Sequence, residues 1–249
     1  MTAPIRVTVW NEFWHENPVH WDTVRRSWMS HGYSQESAIE ETEGVQKIYP
    51  DGIHAAIAAP LKEQGFTVRT ATLDEPEHGL NDKVLEQTDV LIWWGHMVHE
   101  VVADAIAERV YRRIIDGGMG FIALHWGAGS KVFRKLMGTS CTVTPLVGGT
   151  PEKLWVIEPA HPIARGLETS FVVPQTEIYG EPFDIPAPDT IVFISSWPSG
   201  EVCRSGCCFQ RGRGRVFFFR PGHETYPIYY QSEVQQVIAN AVEWAARSS

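Results

Sequence analysis

Short apolar runs alternating with amphipathic stretches organise the first half of the chain. Residues 5–10, 66–72, 89–94 and 120–124 read as strands. The last two are apolar throughout, as expected of strands covered on both faces. Helical patterns lie between them at 53–64, where Gly65 caps the end, and at 99–115. A shorter helix is capped by Asn81, and another spans 130–137. The second half is strand-rich, with strands expected at 153–159, 171–181 and 190–197 and a hairpin pairing 202–209 with 214–219. A closing helix at 232–247 sets Val234, Val237, Ile238, Ala241 and Trp244 on one face. Residues 15–46 show no clean period beyond a short helix over 21–28. An excursion of that length is usually functional or disordered, and its tryptophans and Tyr33 argue for order, and so for a lid or an oligomer contact.

The strand–helix–strand unit at 89–124 places a histidine just after each strand, His96 and His125. Ligands of open α/β sheets sit at the carboxyl ends of the strands, at the point where strand order reverses. A flavodoxin-like order, with the first and third strands adjacent, brings further groups there. Asn11, Glu12 and His15 follow the first strand, His54 begins the first regular helix, and His223 with Glu224 follows the last strand. Neutral imidazoles are the commonest zinc ligands. His96 and His99, spaced i, i+3, join His54 as candidate ligands of a divalent metal such as zinc. Without a metal, His125 with His223 or Glu224 makes a general acid/base set. Glu177, Tyr179 and Glu181 alternate and so share one strand face, a polar wall suited to sugar hydroxyls. Asn11, Glu12 and the flat indole of Trp126 are the other candidates for substrate contact. His31, His78 and His161 sit in turns and receive no role. The segment Leu124-His125-Trp126-Gly127 has the shape of a nucleophile elbow, but its apex is histidine. With no serine or cysteine there, an acyl-enzyme reaction of the glutaminase or esterase kind is rejected.

Composition narrows this further. The 249 residues, 43% hydrophobic and without a linker-like stretch, suit one α/β domain. A net charge of -9 argues against a nucleic-acid partner, and the arginines at 211, 213 and 215 read as a hairpin turn. The four cysteines lack CxxC spacing, and adjacent Cys207 and Cys208 should point to opposite sheet faces. Reduced thiols, no signal-peptide pattern and no apolar run of about 18 residues predict a cytoplasmic protein with no membrane contact. No nucleotide-cofactor motif occurs. Ten tryptophans and ten histidines fit a small-molecule sugar site.

Taken together, Val7–Thr-Val-Trp-Asn-Glu12, Tyr49–Pro-Asp-Gly-Ile-His54, Trp93–Trp-Gly-His96, Ala123–Leu-His125–Trp-Gly127 and Arg220–Pro-Gly-His223–Glu224–Thr-Tyr226 resemble the trehalose-utilisation (ThuA-like) family across nearly the whole chain. The resemblance implies a class I glutamine amidotransferase-like scaffold, a flavodoxin-like three-layer sandwich with added antiparallel strands in the C-terminal half. It also implies that the amidotransferase cysteine and triad have been replaced, and that the substrates are trehalose-type disaccharides or their 3-keto derivatives in bacterial sugar breakdown. Two departures stand out. The excursion at about 15–46 reads as an insertion, and Ala128 stands where another polar residue, often histidine, is expected. The resulting expectation is a homo-oligomeric enzyme that isomerises, eliminates or hydrolyses a sugar by His/Glu acid–base chemistry, with metal assistance as an option. The alternative is a non-catalytic sugar- or metal-binding accessory protein.

Overall fold

The computed structural model describes residues 3–246, the side chains of 145–147 excepted. In chain order the elements are β1 (Arg6–Asn11), α1 (Trp21–Ser30), α2 (Gln35–Ile48), α3 (Ile53–Glu63), β2 (Thr67–Thr72), α4 (Asp82–Glu86), β3 (Val90–Trp94), α5 (Asp104–Ile115) and β4 (Gly120–Leu124). They continue with α6 (Lys131–Met137), β5 (Thr144–Val156), β6 (Ser170–Gly180), β7 (Thr190–Ser196), β8 (Val202–Arg211), β9 (Gly214–Phe219) and α7 (Ser232–Ala246). Among the described residues, the nine strands form one sheet in the order β2-β1-β3-β4-β9-β8-β7-β5-β6. The pairs from β2 to β9 are parallel, and those from β9 through β8, β7 and β5 to β6 are antiparallel.

The parallel half is built by alternation. Val90, Ile92 and Trp94 of β3 face one way and pack with Ile57 of α3 and Val237 and Ala241 of α7. Leu91 and Trp93 face the other way and pack with Val110 of α5 and Phe133 of α6. Both faces are therefore covered by helices, which is why these strands read as continuous apolar runs. Trp10 and Trp93 stack at 3.8 Å between ring centroids on the second face. Cys207 and Cys208 fall into opposite cores, as the strand period requires. All four cysteines are buried and free. Among the described residues no helix is long and apolar enough to cross a membrane.

Three expectations need correction. The stretch read as aperiodic is a helical hairpin, α1 and α2. Its period was hidden because α2 buries only Ala38, Thr42 and Val45, two of them small or polar. The helix expected from 99 starts at Asp104; His99–Val101 forms a separate single turn, and Val102 and Ala103 are extended. Strand β5 begins at Thr144 instead of 153, because register shifts near Thr150 break its alternation.

Candidate functional site

The parallel half delivers its site at the carboxyl ends of β1, β3, β4 and β9. The β4 elbow is real: His125 has φ 52, an uncommon conformation for a residue with a Cβ. Gly127 lets the turn close, since a Cβ there would lie 2.9 Å from the Trp93 carbonyl oxygen. Gly222 is needed after β9, where φ is 145 and a Cβ would meet the Tyr229 hydroxyl at 2.0 Å. Its carbonyl accepts from Trp94 Nε1 at 3.0 Å, which ties the β9 loop to β3.

Around Glu224, three imidazoles converge. His96 Nδ1 lies 2.8 Å from Glu224 Oε2, His15 Nε2 lies 3.2 Å from Oε1, and His223 Nδ1 lies 3.7 Å from Oε2. Burial alone would push the Glu224 carboxyl up, but His15, His223 and His96 hold it well below the usual carboxylate range. Burial pushes His96 down, yet Glu224, Glu177 and Glu12 outweigh it and raise the imidazole to about 9. His223 goes the other way, to about 4, because burial and the neighbouring imidazoles exceed the pull of Glu224. Its Nδ1 accepts the Thr225 backbone N–H at 3.3 Å, which leaves the proton on Nε2.

A second layer lies behind. His125 Nδ1 is 3.3 Å from the Arg220 carbonyl oxygen, which can only accept, so the proton sits on Nδ1 and Nε2 carries the lone pair. Tyr179 Oη and Glu177 Oε2 approach Nε2 at 3.4 and 3.5 Å. Burial, with His96 and His223 nearby, holds His125 well below its ordinary value. Burial raises Glu177. Glu12 is buried too, but His15 and the amide of Met97 lower it to about 2.

A cavity of about 500 Å³ opens over this cluster. His15, His96, Glu177 and His223 form its floor, with Tyr179 and Trp126 at one side. The opposite wall comes from the helical excursion through Ser27, Trp28, His31 and Tyr33. Of the sequence candidates, the structure therefore brings His96, His223, Glu177, Tyr179 and Trp126 to the cavity. His125 and Glu224 are fully buried and act on it only through neighbours.

Five candidates sit elsewhere. Asn11 and Glu12 are buried beneath the floor, out of substrate reach: Asn11 bonds Glu16 at 2.8 Å, and Glu12 accepts the amides of Met97 and Val98. Glu181 lies beyond β6, where Arg204 Nε pairs with it at 2.8 Å. His54 and His99 do not join His96 as a ligand set. His54 turns to Asn11 at 3.1 Å, and the turn at His99–Val101 rotates His99 away toward Gly95 and Gly129. The groups whose donor atoms lie within 4.8 Å of one another, among the described residues, are His15, His96 and Glu224, and His96, His125 and Glu177.

Several residues went unassigned by sequence reasoning. His15 follows the first strand, the one signal that it reaches the edge, and nothing in its pattern assigns it a role. Arg220 is fully buried and pairs with Glu152, through Nε to Oε1 at 2.9 Å and a second contact from Nη2. Its Nη1 donates to the Glu177 carbonyl at 2.8 Å and Nη2 to Thr176 Oγ1 at 2.9 Å. A charged residue ending an apolar strand was the only hint. Trp28, Tyr33 and His31 were hidden by the aperiodic excursion, where only the density of aromatic residues pointed to them.

Comparison with known proteins agrees with this architecture. No curated protein matches the sequence significantly. A ThuA-like protein from Parabacteroides merdae superposes with a TM-score of 0.60 at 14% identity, over 98% of this chain and 90% of that one. One from Bacteroides uniformis gives 0.59 at 16%, over 98% and 92%. A glutamine amidotransferase from Thermotoga maritima gives 0.51 at 11%, over 99% and 100%. At these identities the likeness establishes the fold: a mixed α/β, flavodoxin-like scaffold shared with the class I glutamine amidotransferases. The ThuA family model, described as trehalose utilisation, matches residues 6–245, and the chain belongs to that family.

Proposed function

We propose that the protein is a carbohydrate-processing enzyme that moves a proton on a sugar or keto-sugar of the trehalose type. The observation that carries this reading is the cavity floor. Three imidazoles, of which His15 is fully buried, meet the carboxylates of Glu177 and the buried Glu224 there, yet both nitrogens of His15, Oε1 of Glu224 and Oε2 of Glu177 lack hydrogen-bond partners among the described residues. His15 and Glu224 are close but off the hydrogen-bond direction. Buried polar atoms left this way in a native fold need a reason, and a catalytic role or a bound ion or water supplies one.

A keto group acidifies the C–H beside it. Glu177 lines the cavity, with its Oε2 buried against His125, and its carboxylate is the group to accept that proton. His125 Nε2, 3.5 Å behind it, is the lone pair that can share the proton once it arrives. The carbonyl oxygen gains charge as the C–H bond breaks, and the Nε2–H of His223 is a neutral donor for it. Delivery of the proton to the former carbonyl carbon, as the adjacent hydroxyl gives up its own, isomerises the sugar; departure of a β-substituent with the proton instead cleaves it by elimination. The donor set also fits a divalent cation such as zinc, held by His15, His96 and Glu224. When bound, such an ion polarises a carbonyl or activates water.

The test is deuterium exchange at the carbon beside the ketone of 3-ketotrehalose, followed by NMR. Wild type is expected to exchange it, and Glu177→Gln to lose at least about 100-fold. Equal rates in the two proteins, or no exchange in wild type with or without added zinc, would end this mechanism.

A further inference from the structure

We infer that Trp28 and Tyr33, carried by the helical excursion, form an outer subsite that stacks the second ring of an uncharged sugar. This rests on the proposed reading of the floor as a sugar site and adds the part of the ligand that the floor does not hold. The cavity is divided chemically. Its floor is imidazole and carboxylate, whereas its outer wall is aromatic. Trp28 and Tyr33 lie 6.0 Å apart with their rings inclined by only 29°. Tyr33 is 46% exposed, so the sheet core does not require it. Flat indole and phenol faces suit the C–H face of a pyranose, while Ser27, His31 and Thr142 at the same rim can reach its hydroxyls.

The excursion is held as a support should be. Trp21 Nε1 donates to the His15 carbonyl at 3.0 Å, Arg25 Nε to Thr42 Oγ1 at 2.9 Å, and His20 Nε2 meets Asp74 at 2.7 Å. The segment that brings His15 to the floor therefore also fixes Trp28 above it, with the two rings 5.8 Å apart. Charge sets the second half of the inference. The raised imidazoles, His15 and His96, lie on the floor beside Glu224; no lysine or arginine lines the cavity among the described residues, and Glu177 does. A phosphorylated sugar would find no counter-charge at the wall.

Calorimetric titration with trehalose, glucose and trehalose 6-phosphate tests this. Wild type is expected to bind trehalose more tightly than glucose, and trehalose 6-phosphate more weakly than trehalose. Trp28→Ala should weaken trehalose about tenfold and glucose less than about twofold, while Trp28→Phe, which keeps a ring, stays near wild type. Trehalose binding unchanged in Trp28→Ala, both sugars lost alike in Trp28→Ala and Trp28→Phe, or trehalose 6-phosphate bound as tightly as trehalose would overturn the subsite while leaving the floor reading intact. Wild type that binds neither neutral sugar overturns the subsite together with the sugar reading of the floor.

Discussion

The two sides of the cavity are built by opposite strategies. The floor hangs from strand ends of a sheet that is packed on both faces, and its imidazoles and carboxylates are crowded against one another, with several of their atoms left without a hydrogen bond. The outer wall stands on two surface helices, and Tyr33 and His31 are solvent-exposed. Buried polar chemistry needs the first kind of support, because an unpaired group out of water costs several kcal/mol and must be over-determined to persist. Recognition of a ring face needs only a flat surface in roughly the right place. The contrast predicts that perturbing the floor propagates into the whole fold, whereas perturbing the wall stays local.

The largest expected effect tests the floor. Arg220 joins both halves of the sheet: its side chain grips Glu152 on β5 and the Glu177 carbonyl on β6, and its own carbonyl orients His125 after β4. Arg220→Ala leaves Glu152 buried without its cation and should destabilise the protein by about 3–5 kcal/mol in urea denaturation. The double variant Arg220→Met with Glu152→Met, which removes both charges and keeps the bulk, should recover most of that loss. A single variant costing under about 1 kcal/mol would mean that the floor is not pinned from below.

How much of each side could be read beforehand follows from the same physics. The floor was legible because parallel strands buried on both faces leave an unmistakable apolar signature, and His96, His125, His223 and Glu224 fall immediately after such runs. Strand order then did the rest. The failures within the floor were failures of distance and turn geometry. His99 follows His96 at helical spacing, but Val102 and Ala103 are extended and the helix starts later. Asn11 and Glu12 leave β1 in the right direction, yet sink below the cavity to bond Glu16 and the amides of Met97 and Val98. Glu181 keeps the alternation of Glu177 and Tyr179 but lies beyond the strand, where Arg204 claims it. The wall was illegible for a different reason. A helix that buries alanine and threonine has no hydrophobic period to detect.

A second, smaller effect tests by pH a histidine packed beside the floor. His99 is partly exposed, but its Nε2 is buried without a hydrogen-bond partner among the described residues. Burial, helped by His96 and Arg134, lowers it to about 4 against the pull of Glu12. With the folded pKa below the ordinary 6.5, the unfolded chain binds the proton first. The neutral ring's contribution is therefore complete above pH 6.5 and is lost as pH falls toward 4. The loss is at most about 3.5 kcal/mol at one pKa unit per 1.4 kcal/mol. His99→Leu should flatten that acid limb in denaturation curves measured between pH 4 and 7 with chelator present. An unchanged limb would assign it to other groups.

The smallest effect belongs to the wall and sharpens the comparison most. Ser34 caps α2 by accepting the Ser37 N–H at 3.0 Å. Ser34→Ala should cost about 1 kcal/mol, the usual value of such a cap. If the wall is mechanically separate, that cost appears as faster amide exchange within Gln35–Ile48, with β3 and β4 protected as before. Global unfolding then shifts little, because local opening of the hairpin leaves the sheet core closed. Faster exchange that spreads to the amides of Met97 and Val98, which hold Glu12, would show the opposite. The route for such coupling exists, since His15 touches Glu12 on one side and lends its carbonyl to Trp21 on the other. The wall would then be part of the floor's support, and a change there would adjust the chemistry as well as the recognition.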